Sequence, residues 1–492
     1  MKPYKKRKAM QKNIILLGGS NSVMGDGLQK GIQDSLINKD EFKFYNFGLG
    51  ACNSFQNFYE LKRKRNKEIF ENAELIITES NVNDVYDIYE SHEKLPLDIF
   101  YRNLSWYYKE LYFLNKKIVS LLLPNEFENY KLINNIHKIL CEKYGFNCID
   151  MQEYYENHAL QEFGKTIDWG HQLSSIMQRV GKNIIDSIEI FQMPKKLAIT
   201  NDNPKFFECT PKDMIVKEGK IKEDYLVNSM YGEQIYRLDS NTILAFPKKM
   251  QGCCLVGLHT WNNTREWKEN FKEPKGWDEC SLSYASLELC NDIHSNDTCN
   301  NAYNGGGGQS IIKETNILNC VIEVQTPFFI NENAHCKISN GKASKKEYYH
   351  NARSWENDSH RISFCDLIAF FCATKEGNYH TETLDYEALS KENIKISPQY
   401  SYNHILPPIE KYKRLIDESL SHKDMVEILL HRDIIIEYLI KTGAKELESS
   451  IHPTKETYKH TQNTYCNRLL HKIKHRATMP YIKHKLRKMF RN

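Results

Sequence analysis

Long apolar runs are scarce in this sequence. The first, at Ile14, Ile15, Leu16 and Leu17, follows a basic stretch from Lys2 to Lys12 but stops at Gly18-Gly19-Ser20. A secretory signal core needs roughly 7–15 apolar residues and a membrane-spanning helix about 20. The expectation is a mature chain starting near Met1 in the cytoplasm. An excess of one charge is also lacking: 67 Lys and Arg against 63 Asp and Glu leave a net +4, so no global nucleic-acid footprint is present. The fourteen cysteines have irregular spacing, which with no export signal argues for reduced thiols rather than a disulfide framework. Cys253, Cys254, Cys280, Cys290, Cys299, Cys320 and Cys336 include no C-x-x-C pair. Adjacent cysteines are poor partners on one tetrahedral ion, so no metal or other cofactor is expected.

What is present is an alternation of strand-like and helix-like segments over residues 12–195, the signature of an α/β sheet covered on both faces. Apolar runs predict strands at 13–18, 42–47, 74–78, 117–123 and 146–149. Helical spacing fits 27–36, 54–70, 100–114, 130–144 and 174–191. Three loops merit reading with Ser20, because open α/β sheets bind ligands beyond the carboxyl ends of their strands. The second strand ends in Gly48-Leu49-Gly50-Ala51, the third in Glu79-Ser80-Asn81-Val82-Asn83-Asp84, and Asp168-Trp169-Gly170-His171 opens the last helix. Each has an ordinary explanation: Ser20 or Asp168 as a helix cap, Asn83-Asp84 as a turn. A dinucleotide fingerprint is excluded, because Gly48-x-Gly50 lacks the third spaced glycine.

Taken together and in order, Ser20 after the first strand, glycines after the second, Asn83-Asp84 after the third and Asp168-x-x-His171 before the last helix resemble the four signature blocks of the SGNH (GDSL-type) hydrolases. The resemblance covers roughly residues 12–192. It implies a flavodoxin-like three-layer domain and acyl-ester chemistry: Ser20 as nucleophile, His171 as base, Asp168 orienting the imidazole. The oxyanion donors it implies are the Ser20 and Gly50 backbone N–H groups and the Asn83 amide. Two positions depart from the pattern. Gly19 stands where an Asp is usual, and Asn81 where a Gly is usual; neither removes a catalytic group.

Beyond a Pro194 to Pro204 linker, residues 205–385 carry short β-like runs at 243–246, 254–260, 311–326 and 361–373, expected to form a sandwich or jelly roll. Trp261, Trp267, Trp277, Tyr303 and Trp355 could stack on sugars or pack in the core, and Gly305–Gly308 reads as a plain loop. Residues 386–492 return to helical patterns at 410–419, 425–443 and 467–489. The last of these is a basic amphipathic tail, interrupted by Pro480, that could meet an anionic membrane surface, an acidic glycan or nucleic acid, or stay solvated. The expected partners are an acylated carbohydrate or small ester, with peripheral contact at the inner membrane face open and no specific nucleic acid. The expected activity is removal of an acetyl or other acyl group from a carbohydrate. Acyl transfer to a glycan by the same triad, and a non-catalytic glycan-binding or assembly role, are the alternatives.

Overall fold

A computed structural model describes residues 11–91, 94–164, 170–263, 283–291, 310–316, 318–339, 345–348 and 360–420. The basic tail and the helices expected at 425–443 and 467–489 lie outside the described residues. So do Trp267, Trp277, Tyr303, Trp355 and the glycine run at 305–308.

The first layer system is built on β1 (Lys12–Leu17), β2 (Phe42–Asn46), β3 (Ala73–Thr78), β4 (Lys117–Leu122) and β5 (Asn147–Asp150). They pair in the order β2-β1-β3-β4-β5, every pair parallel. This is the flavodoxin-like order, which reverses direction beside β1 and opens its crevice at the carboxyl ends of β1 and β3. Side chains alternate across the sheet, so one apolar run feeds two cores. Ile15, Leu17, Ile76, Ile118 and Leu122 enter one. Ile14, Leu16, Leu75, Ile77, Val119 and Leu121 enter the other. A sheet buried on both faces needs continuous rather than alternating apolar strands, and that is how β1 and β3 read.

The helices are α1 (Ser20–Val23), α2 (Leu28–Leu36), α3 (Ser54–Lys62), α4 (Lys67–Glu71), α5 (Asn81–Val85), α6 (Leu97–Phe113), α7 (Tyr130–Tyr144), α8 (Met151–Asn157), α9 (Gln161–Gly164) and α10 (Ser174–Asp186). α3, α6 and α7 cover one face, α2 and α10 the other. On the second face the helices meet closely: a Cβ on Gly31 would stand 1.9 Å from the Gln178 carbonyl oxygen, and one on Gly181 2.4 Å from that of Leu28. The expected helix at 54–70 is broken. The chain becomes extended at Arg63, and Asn66 bonds back to the Glu60 carbonyl at 3.0 Å, closing the turn. The expected helix at 174–191 stops at Asp186.

The second module contains β6 (Phe206–Cys209), β7 (Ile215–Glu218), β8 (Lys222–Val227), β9 (Gly232–Leu238), β10 (Ile243–Ala245), β11 (Cys254–Thr260), β12 (Ser283–Cys290), β13 (Ser310–Asn316), β14 (Cys320–Phe329), β15 (His335–Ile338), β16 (Lys345–Tyr348), β17 (His360–Arg361) and β18 (Cys365–Ala373). One sheet runs β16-β13-β12-β15-β10-β7 with β17 on β12; the other runs β14-β11-β18-β9-β8 with β6 on β18. Leu287, Leu289 and Ile311 from the first meet Leu255, Phe328 and Phe370 from the second in a shared core. The run expected as one strand at 311–326 is two, because the Asn316 side chain caps a turn by accepting the Leu318 N–H at 2.9 Å.

The modules share a core. Phe58 of α3 lies edge-on to Phe206 and Phe371, with ring centroids 4.7 and 5.3 Å away. Beside them Arg63, 4% exposed, bonds Glu233 through two nitrogens at 2.8 and 2.9 Å. Burial would raise the Glu233 carboxyl, but the Arg63 guanidinium holds it down to about 2. After the second module the chain returns through α11 (Tyr386–Lys391) to the parallel sheet, where Tyr400 and Tyr402 exchange main-chain bonds with Cys148 of β5. α12 (Ile409–Leu420) then buries Ile409 and Ile416 against the α10 side. Every described cysteine is a buried free thiol. Among the described residues no helix is long and apolar enough to cross a membrane.

Candidate active site

Ser20 is the first residue of α1, and the cap position belongs to Gly19. The Ser20 hydroxyl is therefore released from capping, and its Oγ lies 2.7 Å from His171 Nε2. As the first helical residue, Ser20 also has a main-chain N–H with no intrahelical acceptor. His171 reaches the serine from the segment before α10, whose close packing on α2 brings that segment back over β1.

Asn21 holds the histidine segment on both sides. Its amide nitrogen donates to the Gly170 carbonyl at 2.8 Å, and its Oδ1 accepts the Gln172 N–H at 3.3 Å. Gln172 is fixed in turn: its amide donates to the Pro124 carbonyl, and its Oε1 accepts the Tyr155 hydroxyl. Asp168 lies outside the described residues.

From the end of β3, Glu79 supports the nucleophile turn. Its Oε1 accepts the Gly19 N–H at 3.1 Å and the Ser22 hydroxyl at 2.9 Å. Complete burial pushes the Glu79 carboxyl up to about 7, although both bonds and the nearby His171 favour its ionised form. Sequence reasoning passed over Asn21, Ser22 and Glu79. The available signal was a polar residue on each side of the strand-to-turn junction, inside blocks already singled out.

Asn83 is half-buried on α5 and faces the same turn: a Cβ on residue 19 would stand 2.2 Å from its Oδ1. Among the described residues no hydrogen bond engages the Asn83 amide. A side chain at residue 19 would have to share this space, and the amide end of Asn83 would shift to make room. Asn81, where glycine is usual, pairs with both main-chain groups of Leu123 at 2.9 Å and pins α5 to the end of β4. Asp84 is turned inward, accepting bonds from the Ser54 N–H, the Ser80 hydroxyl and His137, and belongs to the scaffold.

The turn after β2 approaches the serine from the remaining side. The Leu49 N–H donates to the Gly18 carbonyl at 2.9 Å, and the Cys52 carbonyl oxygen lies 3.3 Å from the Cβ position of residue 19. Gly50 is half-buried with open space over its Cα. Ala51 adopts φ 57°, a left-handed conformation unusual for a non-glycine residue. Such strain persists where surrounding contacts over-determine the backbone, and it collects at functional loops. The structure thus gathers Ser20, His171, Asn83 and the Gly50 turn at the carboxyl ends of β1, β2 and β3. A hydroxyl bonded to an imidazole beside unengaged donors can carry nucleophilic acyl chemistry.

No family model and no curated protein matches the chain. Among solved structures, similar ones include the acetyl xylan esterase AlAXEase, 17% identical over 36% of this chain and 98% of its own, with a TM-score of 0.30. The lipase Lip_vut3 from a goat rumen metagenome is 16% identical over 36% of this chain and 97% of its own, with a TM-score of 0.29. TesA is 14% identical over 36% and 98%, with a TM-score of 0.29.

Proposed function

We propose that the chain is a serine-dependent esterase of the SGNH type, removing an acetyl or other acyl group from a carbohydrate. The observation that carries the ester chemistry is the 2.7 Å contact between Ser20 Oγ and His171 Nε2. The carbohydrate as acyl carrier is the finer part of the proposal, and it rests on the attached β module.

In this reading neutral His171, protonated on Nδ1 and held by Asp168, accepts the Ser20 proton at Nε2 as Oγ attacks the ester carbonyl. The oxyanion is received by the Ser20 and Gly50 N–H groups and the Asn83 amide. Collapse expels the sugar hydroxyl, which takes its proton from His171. Water then repeats the sequence on the acyl-serine, freeing the acid and restoring Ser20. No step calls on a metal or cofactor.

The test is hydrolysis of a p-nitrophenyl acetate-type ester by the full chain and by Ser20→Ala. Loss of catalysed release in the variant supports the nucleophile, and equal release by both overturns it. Acetylated oligosaccharides, with free acetate as the readout, then test the acyl carrier.

A further inference from the structure

We propose that the second module positions the catalytic loop after β2, with Tyr231 and Glu323 clamping its two ends. The inference rests on the esterase reading above, and it assigns positioning residues that lie 184 and 270 positions along the chain from the loop residues they hold.

Tyr231 closes the β8–β9 hairpin, and its hydroxyl lies 2.7 Å from the Phe47 carbonyl oxygen and 2.8 Å from that of Gly48. Its single proton is shared between the two acceptors. The first module supplies one further donor to Phe47, the Gln56 amide at 2.9 Å. At the far end, Asn53 Nδ2 donates to Glu323 Oε1 of β14 at 2.8 Å and to Asp87 Oδ2 at 2.7 Å, while Asn53 Oδ1 caps α3 through the Phe55 N–H. Between these anchors lie Gly50, which has no neighbour above its Cα, and Ala51 in its left-handed conformation.

The orientation of the Gly50 N–H depends on the peptide planes that precede it. The carbonyls of two of those planes are the ones Tyr231 holds. The hairpin cannot drift, because Glu233, two residues on, is bonded by Arg63 and by Arg65 from the first module. Loosening either anchor lets a strained loop relax away from the geometry that an oxyanion needs, while the nucleophile and base keep their contact. A displacement of this kind costs turnover rather than substrate binding.

The test compares the wild type, Ser20→Ala, Tyr231→Phe and Glu323→Leu on one chromogenic ester, with kcat of the three serine-bearing proteins expressed per Ser20 labelled to completion by a fluorophosphonate probe and that of Ser20→Ala per mole of protein. That normalisation counts only competent sites, so partial misfolding does not mimic the effect. The expected result is a 10- to 100-fold lower kcat in Tyr231→Phe and in Glu323→Leu, with KM within about twofold and the acidic limb of the pH profile unmoved. Wild-type kcat in Tyr231→Phe overturns the clamp. If Tyr231→Phe does not fold, wild-type kcat in Glu323→Leu overturns it instead. An unaffected Ser20→Ala would overturn the esterase reading itself, which is a separate outcome.

Discussion

Gly19 and Asn83 share one space: the position of a Cβ on the glycine lies 2.2 Å from the asparagine's Oδ1. Gly19→Ala is therefore expected to act as an Asn83 variant, pushing the amide out of the site. Loss of one oxyanion donor typically lowers turnover by about 10²–10³. Both Gly19→Ala and Asn83→Ala are expected to fall in that range with little change in KM. A Gly19→Ala enzyme of wild-type kcat would show that the amide is not required where it stands.

Asn21 offers a different handle, because it touches the segments flanking His171 and not the ring itself. In Asn21→Ala the bonds to Gly170 and Gln172 are lost. The expected result is a kcat reduced by roughly 10- to 100-fold, the scale of a misplaced catalytic group. Asn21→Asp keeps the acceptor for the Gln172 N–H and is expected to recover part of the loss.

The dependence on pH joins two groups. The Glu79 carboxyl sits near 7 in the folded chain against an ordinary value of 4.5, because burial disfavours its charge. Its contribution to stability is fully present below about pH 4.5 and is lost as the pH rises through 7, a difference on the order of 3 kcal/mol. Glu79→Gln carries no such charge, so its Tm relative to the wild type is expected to rise between pH 5 and pH 8. The same substitution removes a negative charge near His171. That charge is present chiefly above about pH 7, so the upper part of the acidic limb of the kcat/KM profile is expected to move to lower pH. A limb that stays in place would separate Glu79 from the titration of the base.

The face bearing α2 and α10 provides a stability test away from the chemistry. A methyl at Gly31 has no room before the Gln178 carbonyl. Gly31→Ala is expected to destabilise the fold by roughly 1–3 kcal/mol, the cost of overpacking, read as a lower midpoint in urea.

Much of the first layer system is legible in the sequence because its strands are buried on both faces. Runs such as Ile14 to Leu17 need no partner to be recognised. The Ser20, Asn83 and His171 blocks are legible for a related reason: each lies at the junction of a predicted strand or helix. The break at Arg63 is not legible, since the carboxylate that holds its guanidinium, Glu233, lies 170 residues away. Strands such as β7 and β8 also escape, because exposed edge strands lack apolar alternation; the burial of β8 is confined to Leu226. Tyr231 gave no signal at all. Its role is defined by carbonyl groups on another module, and a tyrosine before a glycine looks like any hairpin.

The main-chain bonds between Cys148 and the Tyr400–Tyr402 stretch have a consequence for aggregation. β5 closes one side of the parallel sheet, and its outward N–H and C=O groups would form a template for another chain. The returning segment occupies that template with its own backbone, through the Cys148 N–H to Tyr400 and the Tyr402 N–H to Cys148. A chain shortened before residue 400 keeps every group of the site yet uncovers a strand rim of Asn147, Cys148 and Ile149. Such a chain is expected to self-associate edge to edge, so the late segment acts as a guard on solubility for the sheet that carries Ser20.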